Sequence, residues 1–457
     1  MSTTLVEQPV ERPVVVPTRV RGSRRLAPAV IAMVILPALL LLDIGIALAR
    51  GWALESQVDT LALAGAIGWL LLLSVALVLP GARSRVGAHW QPIVASVVAF
   101  GTAWLFAEVA LGLITPELAR PPLHRRWPGM EMTFHPDPNV MPGVSGPARY
   151  TTSALGLRAV EFPADRSVPR VLCLGGSTTE CGYLDEPETW PQLFALAWNG
   201  PSGASESSIW VGNAGISGFS SRHHLRFVEE SELMHQIDCL ILLVGINDFS
   251  KYLETERLVE EVLRDERAAQ ARRPLWSYTQ LRNLSRRAAN VLTPTMTRHY
   301  EDPDGANYEL RRNERRQATK LATLPNLERP LVEYGQRIEA IVAACRAHHV
   351  RLIVMSQPVL WRDGLADEHD RLLWLGWAPD GTYYTAESLR RGIDRYNEML
   401  ASACRKLAVE FVDLSPLSGN PAYFYDDCHF TELGAAEVAR RLTDHFARHP
   451  LDDQAHK

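Results

Sequence analysis

Two short stretches far apart in the chain hold residue types that together could cleave an ester. The first is Val171-Leu172-Cys173-Leu174-Gly175-Gly176-Ser177-Thr178-Thr179, an apolar strand that ends in two glycines and a serine. A serine there sits on a sharp strand-to-helix turn. Its hydroxyl is exposed at the carboxyl end of a sheet, where an open α/β sheet places its chemistry. The second stretch is Asp426-Asp427-Cys428-His429. Acyl transfer by serine needs a nucleophile, a base, a group that orients the base, and donors for the oxyanion. Ser177 is the nucleophile. His429 can take its proton and return it to the leaving group, which is worth roughly 10²–10⁴ in rate. Asp426 lies three residues before His429, so on one turn its carboxylate reaches the imidazole. There it fixes the tautomer and stabilises the imidazolium.

Donors for the oxyanion should come from neighbouring strand ends. Asn213-Ala214-Gly215-Ile216-Ser217-Gly218 follows a second strand, and glycine there lets a backbone N–H approach a substrate. Val244-Gly245-Ile246-Asn247-Asp248 follows a third, and Asn247 offers a side-chain amide. Taken alone, Ser177 could cap a helix and Asn247 could be a turn residue. The set, aimed at one point from three strand ends, reads as a serine hydrolase. Asp248 and Asp427 read as structural. His223 and His224 fall on a surface helix, and His369, with Asp367 and Asp370, falls in a solvated acidic loop. No pair of cysteines has zinc-finger spacing, and no Gly-rich nucleotide loop or cofactor signature is found, so no cofactor or metal is expected.

The elements that must position these residues begin at about 169. Apolar strands at 170–174, 209–213, 238–244, 351–355 and 410–413 alternate with helical patterns near 188–198, 221–233, 251 onward, 331–348, 388–406 and 431–445. Strands alternating with helices predict βαβ units and a doubly wound, five-stranded parallel sheet. Insertions at about 255–327 and 357–386 interrupt the pattern. The first carries Trp276, Tyr278 and Tyr300; the second carries Trp361, Trp374, Trp377, Tyr383 and Tyr384. Insertions after strand ends overhang the site, so these aromatics either line a substrate groove or pack the insertions down.

The 457 residues carry a net charge of −5 with both signs abundant, which does not suggest a nucleic-acid partner. Residues 1–25 are rich in Pro, Val and Arg and read as a disordered tail. Three apolar runs follow, Leu26–Ala49, Thr60–Pro80 and Gln91–Thr115, interrupted by acids only at Asp43 and Glu108. Each exceeds the ~18–20 residues a spanning helix needs. Ala47-Leu48-Ala49 also resembles a signal cleavage site, but two further spans would still hold the protein in the membrane. Arg19, Arg21, Arg24 and Arg25 precede the first run, and Arg83 and Arg85 separate the second from the third. The positive-inside rule then places the part after the third run outside the cytoplasm, although Arg120, Arg125 and Arg126 argue the other way. Residues 116–168 read as an extended linker that lies on the next domain, with 150–153 and 156–158 adding edge-strand contacts.

Of six cysteines, Cys173, Cys239, Cys345 and Cys404 fall in apolar strands or helices and read as buried thiols. Cys181 follows the serine and Cys428 precedes the histidine. If Ser177 and His429 meet, these two lie close, and an oxidising compartment would allow a disulfide between them.

The four blocks, Gly175-Gly176-Ser177-Thr178, the one containing Gly218, Gly245-Ile246-Asn247-Asp248, and Asp426-Asp427-Cys428-His429, resemble in order those of the SGNH (GDSL-type) hydrolase superfamily. The resemblance covers about 169–447. It implies a flavodoxin-like three-layer fold, Ser177 as nucleophile, an oxyanion hole of Ser177 N–H, Gly218 N–H and Asn247, and a triad completed by Asp426 and His429. One position departs: the family usually has Asp before the nucleophile, and this chain has Gly176. That Asp is not a triad member, so activity is not excluded. The block looks more like that of membrane-tethered members of the superfamily with Gly-Gly-Ser-Thr-Thr. The expected activity is that of a membrane-anchored esterase on O-acyl esters of envelope glycans or lipids. The alternatives are acyl transfer to an exported polysaccharide by the same triad, hydrolysis of bilayer phospholipids, and a non-catalytic binding role.

Overall fold

The computed structural model describes residues 23–49, 57–114, 126, 128–163, 166, 168–200, 208–258, 261–262, 264–265, 279 and 305–451. The expected tail at 1–25 lies almost wholly outside these residues, as do 116–125 of the linker and Trp276, Tyr278 and Tyr300 of the first insertion. The chain divides into two compact units, one up to Ala119 and one from Arg120 onward, with 269–292 grouped with the first.

Four helices make up the described part of the first unit: α1 (Ser23–Ala49), α2 (Gln57–Val78), α3 (Pro80–Ala88) and α4 (Trp90–Ile114). Within them Ala27–Ala49, Thr60–Val78 and Trp90–Leu111, of 23, 19 and 22 residues, are long and apolar enough to cross a membrane. Their large side chains point outward on every side: Leu61 is 70% exposed, Phe106 75% and Val78 81%. Such a surface is costly in water and at ease in hydrocarbon. The stretch holding Arg83 and Arg85 is helical. Pro80 opens it, because its missing N–H would be unpaired in a first turn anyway.

The second unit begins with an antiparallel pair, β1 (Glu131–Phe134) and β2 (Ala148–Thr151). The central sheet is built from β3 (Arg170–Gly175), β4 (Trp210–Gly215), β5 (Cys239–Leu243), β7 (Arg351–Met355) and β9 (Glu410–Val412). All neighbours are parallel, in the order β4-β3-β5-β7-β9. The central strands are apolar throughout because helices cover both faces. Every residue of β3, β4 and β5 is buried. Two short strands, β6 (Lys320–Leu321) and β8 (Tyr383–Tyr384), pair in parallel and join the end of the first insertion to the second.

After β3 come α5 (Ser177–Glu180) and α6 (Trp190–Asn199); after β4, α7 (Ser221–Glu230); after β5, α8 (Ile246–Thr255). Then follow α9 (Ala306–Gln317), α10 (Glu328–Ala347), α11 (Asp367–Asp370), α12 (Ala386–Leu407) and α13 (Glu432–Arg448). On one face α6 packs on α13, with Phe194 and Phe446 at a ring separation of 5.0 Å. On the other, α7, α10 and α12 lie side by side over a cluster that includes Phe249, Tyr334 and Tyr396. The segment before the sheet folds onto this unit: Arg158 pairs antiparallel with Asn213 and extends the β4 edge.

Candidate active site

The doubly wound order brings the expected residues to one end of the sheet. Ser177 follows β3, Gly218 follows β4 and Asn247 follows β5, while Asp426 and His429 come from the loop between β9 and α13. Close packing makes the turn after β3 possible. A Cβ on Gly175 would lie 2.1 Å from Thr179 Oγ1, and one on Gly215 would lie 2.2 Å from the Glu180 nitrogen. Strand end and nucleophile turn therefore touch backbone to backbone.

His429 Nε2 lies 2.7 Å from Ser177 Oγ, and His429 Nδ1 lies 2.6 Å from Asp426 Oδ2. With Asp426 holding Nδ1–H, the lone pair of Nε2 faces the serine hydroxyl. The other carboxylate oxygen of Asp426 accepts the N–H of Cys428 at 2.9 Å and of His429 at 2.8 Å. The loop thus closes on its own acid. Burial pushes the His429 pKa down, but the charge and hydrogen bond of Asp426 outweigh it and hold the imidazole above its usual 6.5. Burial disfavours the Asp426 carboxylate. The His429 charge, and donors from His429, Trp374 and Cys428, overcome this and keep it below the ordinary range.

The three expected donors stand at the ends of β3, β4 and β5. Ser177 N–H opens α5, where no intrahelical acceptor exists. Gly218 has φ +78°, in the region that favours glycine. Asn247 Nδ2 gives one hydrogen to the Phe219 carbonyl at 2.8 Å, which leaves its second hydrogen for a ligand. The same amide accounts for Gly176: a Cβ there would lie 2.5 Å from Asn247 Nδ2 and 3.2 Å from the Phe219 oxygen. The space of a side chain before the nucleophile is filled by Asn247.

The model of the GDSL-like lipase/acylhydrolase family matches residues 173–437, from β3 into α13. The chain belongs to that family. It is accordingly a carboxylic ester hydrolase. Among solved structures it is similar to an acetyl xylan esterase from Geobacillus stearothermophilus, at 15% identity and a TM-score of 0.34, over 61% of this chain and 95% of that one. It is also similar to a G-D-S-L family lipolytic protein from Desulfitobacterium hafniense, at 11% identity and a TM-score of 0.32, over 60% and 98% of the two chains. No curated protein sequence matches it.

The sequence does not show what Trp361, Trp374 and Asp427 bind, and it does not mark Tyr308 or Tyr425 at all. Trp374 donates its indole N–H to Asp426 Oδ2 at 2.9 Å and its backbone N–H to Asp427 Oδ2 at 2.7 Å. Asp427 also accepts from Trp361 Nε1 at 2.7 Å and Leu375 N at 3.1 Å. Burial, then repulsion from Asp426, raises the Asp427 pKa, and the Arg315 charge opposes the rise. Asp427 thus ties the Trp361 side chain and the Trp374–Leu375 backbone to the loop that carries Asp426 and His429. The aromatics of the second insertion resolve toward packing: Trp361, Trp374, Tyr383 and Tyr384 are all buried. Tyr425 stacks on the His429 ring at 5.6 Å, and Tyr308 meets it edge-on at 6.3 Å.

The structure departs from expectation at two places. Cys181 and Cys428 form no disulfide; both are free, buried thiols. Cys181 is left-handed at φ 53° and turns its sulfur to the Thr178 carbonyl at 3.4 Å, whereas Cys428 sits against His429 and the paired aspartates. His224 is fully buried, not on a surface, and burial depresses its pKa to about 3, so it stays neutral. Asp426, Cys428 and His429 bring ligand atoms within 4.8 Å of one another. Burial raises the Cys428 thiol well above its ordinary pKa, and Asp426 already holds Nδ1. The group fits a proton relay better than a metal, which binds thiolate.

Proposed function

We propose that this chain is a membrane-anchored serine esterase that cleaves O-acyl esters of envelope glycans or lipids through Ser177, His429 and Asp426. The observation that carries the reading is the unbroken line from Ser177 Oγ to His429 Nε2 at 2.7 Å and from His429 Nδ1 to Asp426 Oδ2 at 2.6 Å. Ser177 Oγ attacks the ester carbonyl while Nε2 takes its proton. The tetrahedral oxyanion is received by Ser177 N–H, Gly218 N–H and the free Asn247 hydrogen. His429 then protonates the departing alkoxide, and water, activated by the same nitrogen, releases the acid from Ser177. Asp426 remains ionised and balances the imidazolium.

The three apolar helices support attachment to a membrane. Arginines ahead of α1 and on α3 support a catalytic unit on the opposite side from those ends, facing the envelope. A fluorophosphonate probe tests the nucleophile. The wild-type chain in detergent is expected to label and Ser177→Ala is not. Failure of the folded wild type to label removes the reading. A panel of acetylated sugars and of phospholipids, scored by released acid, then separates the two substrate classes.

A further inference from the structure

We infer that Glu180, through Ser217, is a positioning residue for the oxyanion hole, and that Arg126 and Tyr150 hold it in place; this rests on the esterase reading above. Glu180 lies three residues after the candidate nucleophile, at the end of α5, and its side chain is buried. One oxygen, Oε2, accepts the Ser217 N–H at 2.8 Å and also the Ser217 hydroxyl. Ser217 is the residue immediately before Gly218. Two bonds from one carboxylate oxygen fix the Ser217 backbone, and with it the direction of the next peptide N–H, the one that would face the oxyanion. The other oxygen, Oε1, accepts Arg126 Nε at 2.8 Å and the Tyr150 hydroxyl at 2.9 Å.

A buried carboxylate is costly unless it is paired and hydrogen-bonded. Burial raises the Glu180 pKa, but Arg126, Ser217 and Tyr150 more than reverse it, so the group is held ionised below its ordinary range. The carboxylate also adds negative potential at His429, in the direction that raises the imidazole pKa. Nothing in the relay of Ser177, His429 and Asp426 needs Glu180 for proton transfer. Its donors are Ser217 N–H and Oγ–H, Arg126 Nε and Nη2, and the Tyr150 hydroxyl; they come from two places, the loop after β4 on one side and the segment between α4 and β3 on the other. The nucleophile turn is thus the meeting point of the two.

The test uses the full chain in detergent with p-nitrophenyl acetate. Glu180→Gln keeps the shape but puts an amide N–H₂ against donors. Its kcat is expected to fall on the order of tenfold to a hundredfold, within the range seen for a misplaced oxyanion donor. KM should stay near wild type, and the acid limb of the pH profile should move to lower pH because a negative neighbour of His429 is gone. Arg126→Met, at a side chain 25% exposed, should lower kcat in the same direction by a smaller factor. Arg126→Lys should restore most of it. Should Glu180→Gln fail to fold, Arg126→Met and Ser217→Ala carry the expectation for kcat alone, since neither removes the negative charge beside His429. A folded Glu180→Gln with wild-type kcat and an unmoved acid limb, or the pair Arg126→Met and Ser217→Ala both with wild-type kcat, overturns the inference while the esterase reading stands. A wild type that does not turn over any ester, with Ser177→Ala indistinguishable from it, overturns both.

Discussion

Asp426 Oδ2 receives two donors, His429 Nδ1 and the indole of Trp374, and that sharing sets how the imidazole titrates. Activity needs neutral Nε2, so kcat/KM should rise with pH through the His429 pKa, which lies above the usual 6.5. Asp426→Asn removes the charge that holds it there. Burial, the largest influence on His429, is then less opposed, and the limb should shift to lower pH while turnover falls by roughly 10³–10⁴. A pH–rate profile of both proteins checks the sign. Gly176 supplies a second test. Gly176→Ala sets a methyl group 2.5 Å from Asn247 Nδ2, and the amide must move. The expected loss is about 10²–10³ in kcat with little change in KM, as for removal of one oxyanion donor. A variant with wild-type kcat would mean that Asn247 is not one. At this scale the sequence was readable where chemistry demands a residue type: Ser177, His429, Asp426 and Asn247. It did not show what Trp374 binds, and it was silent on Glu180, because a hydrogen bond to a carboxylate leaves no mark of spacing or composition.

Ser177, the proposed nucleophile, sits on a helix of four residues, too short to be stable alone. Neighbours hold its carbonyls in turn. Trp190 Nε1 donates to Thr178 O at 3.0 Å and Asn213 Nδ2 to Thr179 O at 2.9 Å. The buried Arg158 guanidinium donates to Glu180 O, and to Cys181 O and Leu184 O at 2.6 Å each. Arg158→Met would strand the Glu180 and Leu184 carbonyls, at about 1–3 kcal/mol apiece, while Cys181 O keeps the Leu184 N–H. Denaturant unfolding should show a loss of several kcal/mol, and a change under about 1 kcal/mol would contradict this account of the turn. The sheet itself could be read from sequence because fully covered parallel strands are continuous apolar runs that end in Gly and Asn turns. The insertions could not, since their ordering comes from side chains that have no period. Arg312 and Arg315 on α9 bind the Leu372, Leu375 and Tyr425 carbonyls, and those contacts, with β6 against β8, fasten the insertions.

Across the whole molecule, two kinds of surface follow one another along the chain. The helices up to Ala119 expose apolar side chains, and the unit from Arg120 onward buries them. The first kind was legible from the length of the uncharged runs alone, whereas the helix at Pro80–Ala88, short and basic, was not. The charge bias predicts that a reporter fused after Lys457 works only outside the cytoplasm. Reporter activity confined to the cytoplasm would reverse the orientation and move the expected substrates to the other side of the membrane.

Arg126 also sets a limit on how this protein can be cut. A soluble fragment begun at Glu131 would keep every strand of the central sheet and all of Ser177, Asp426 and His429. It would nevertheless leave Glu180, a buried anion, without the guanidinium that balances it. Such a fragment could fold, crystallise and still misreport the enzyme. The boundary that preserves the chemistry lies upstream of residue 126, nearer to α4 than the edge of the fold suggests.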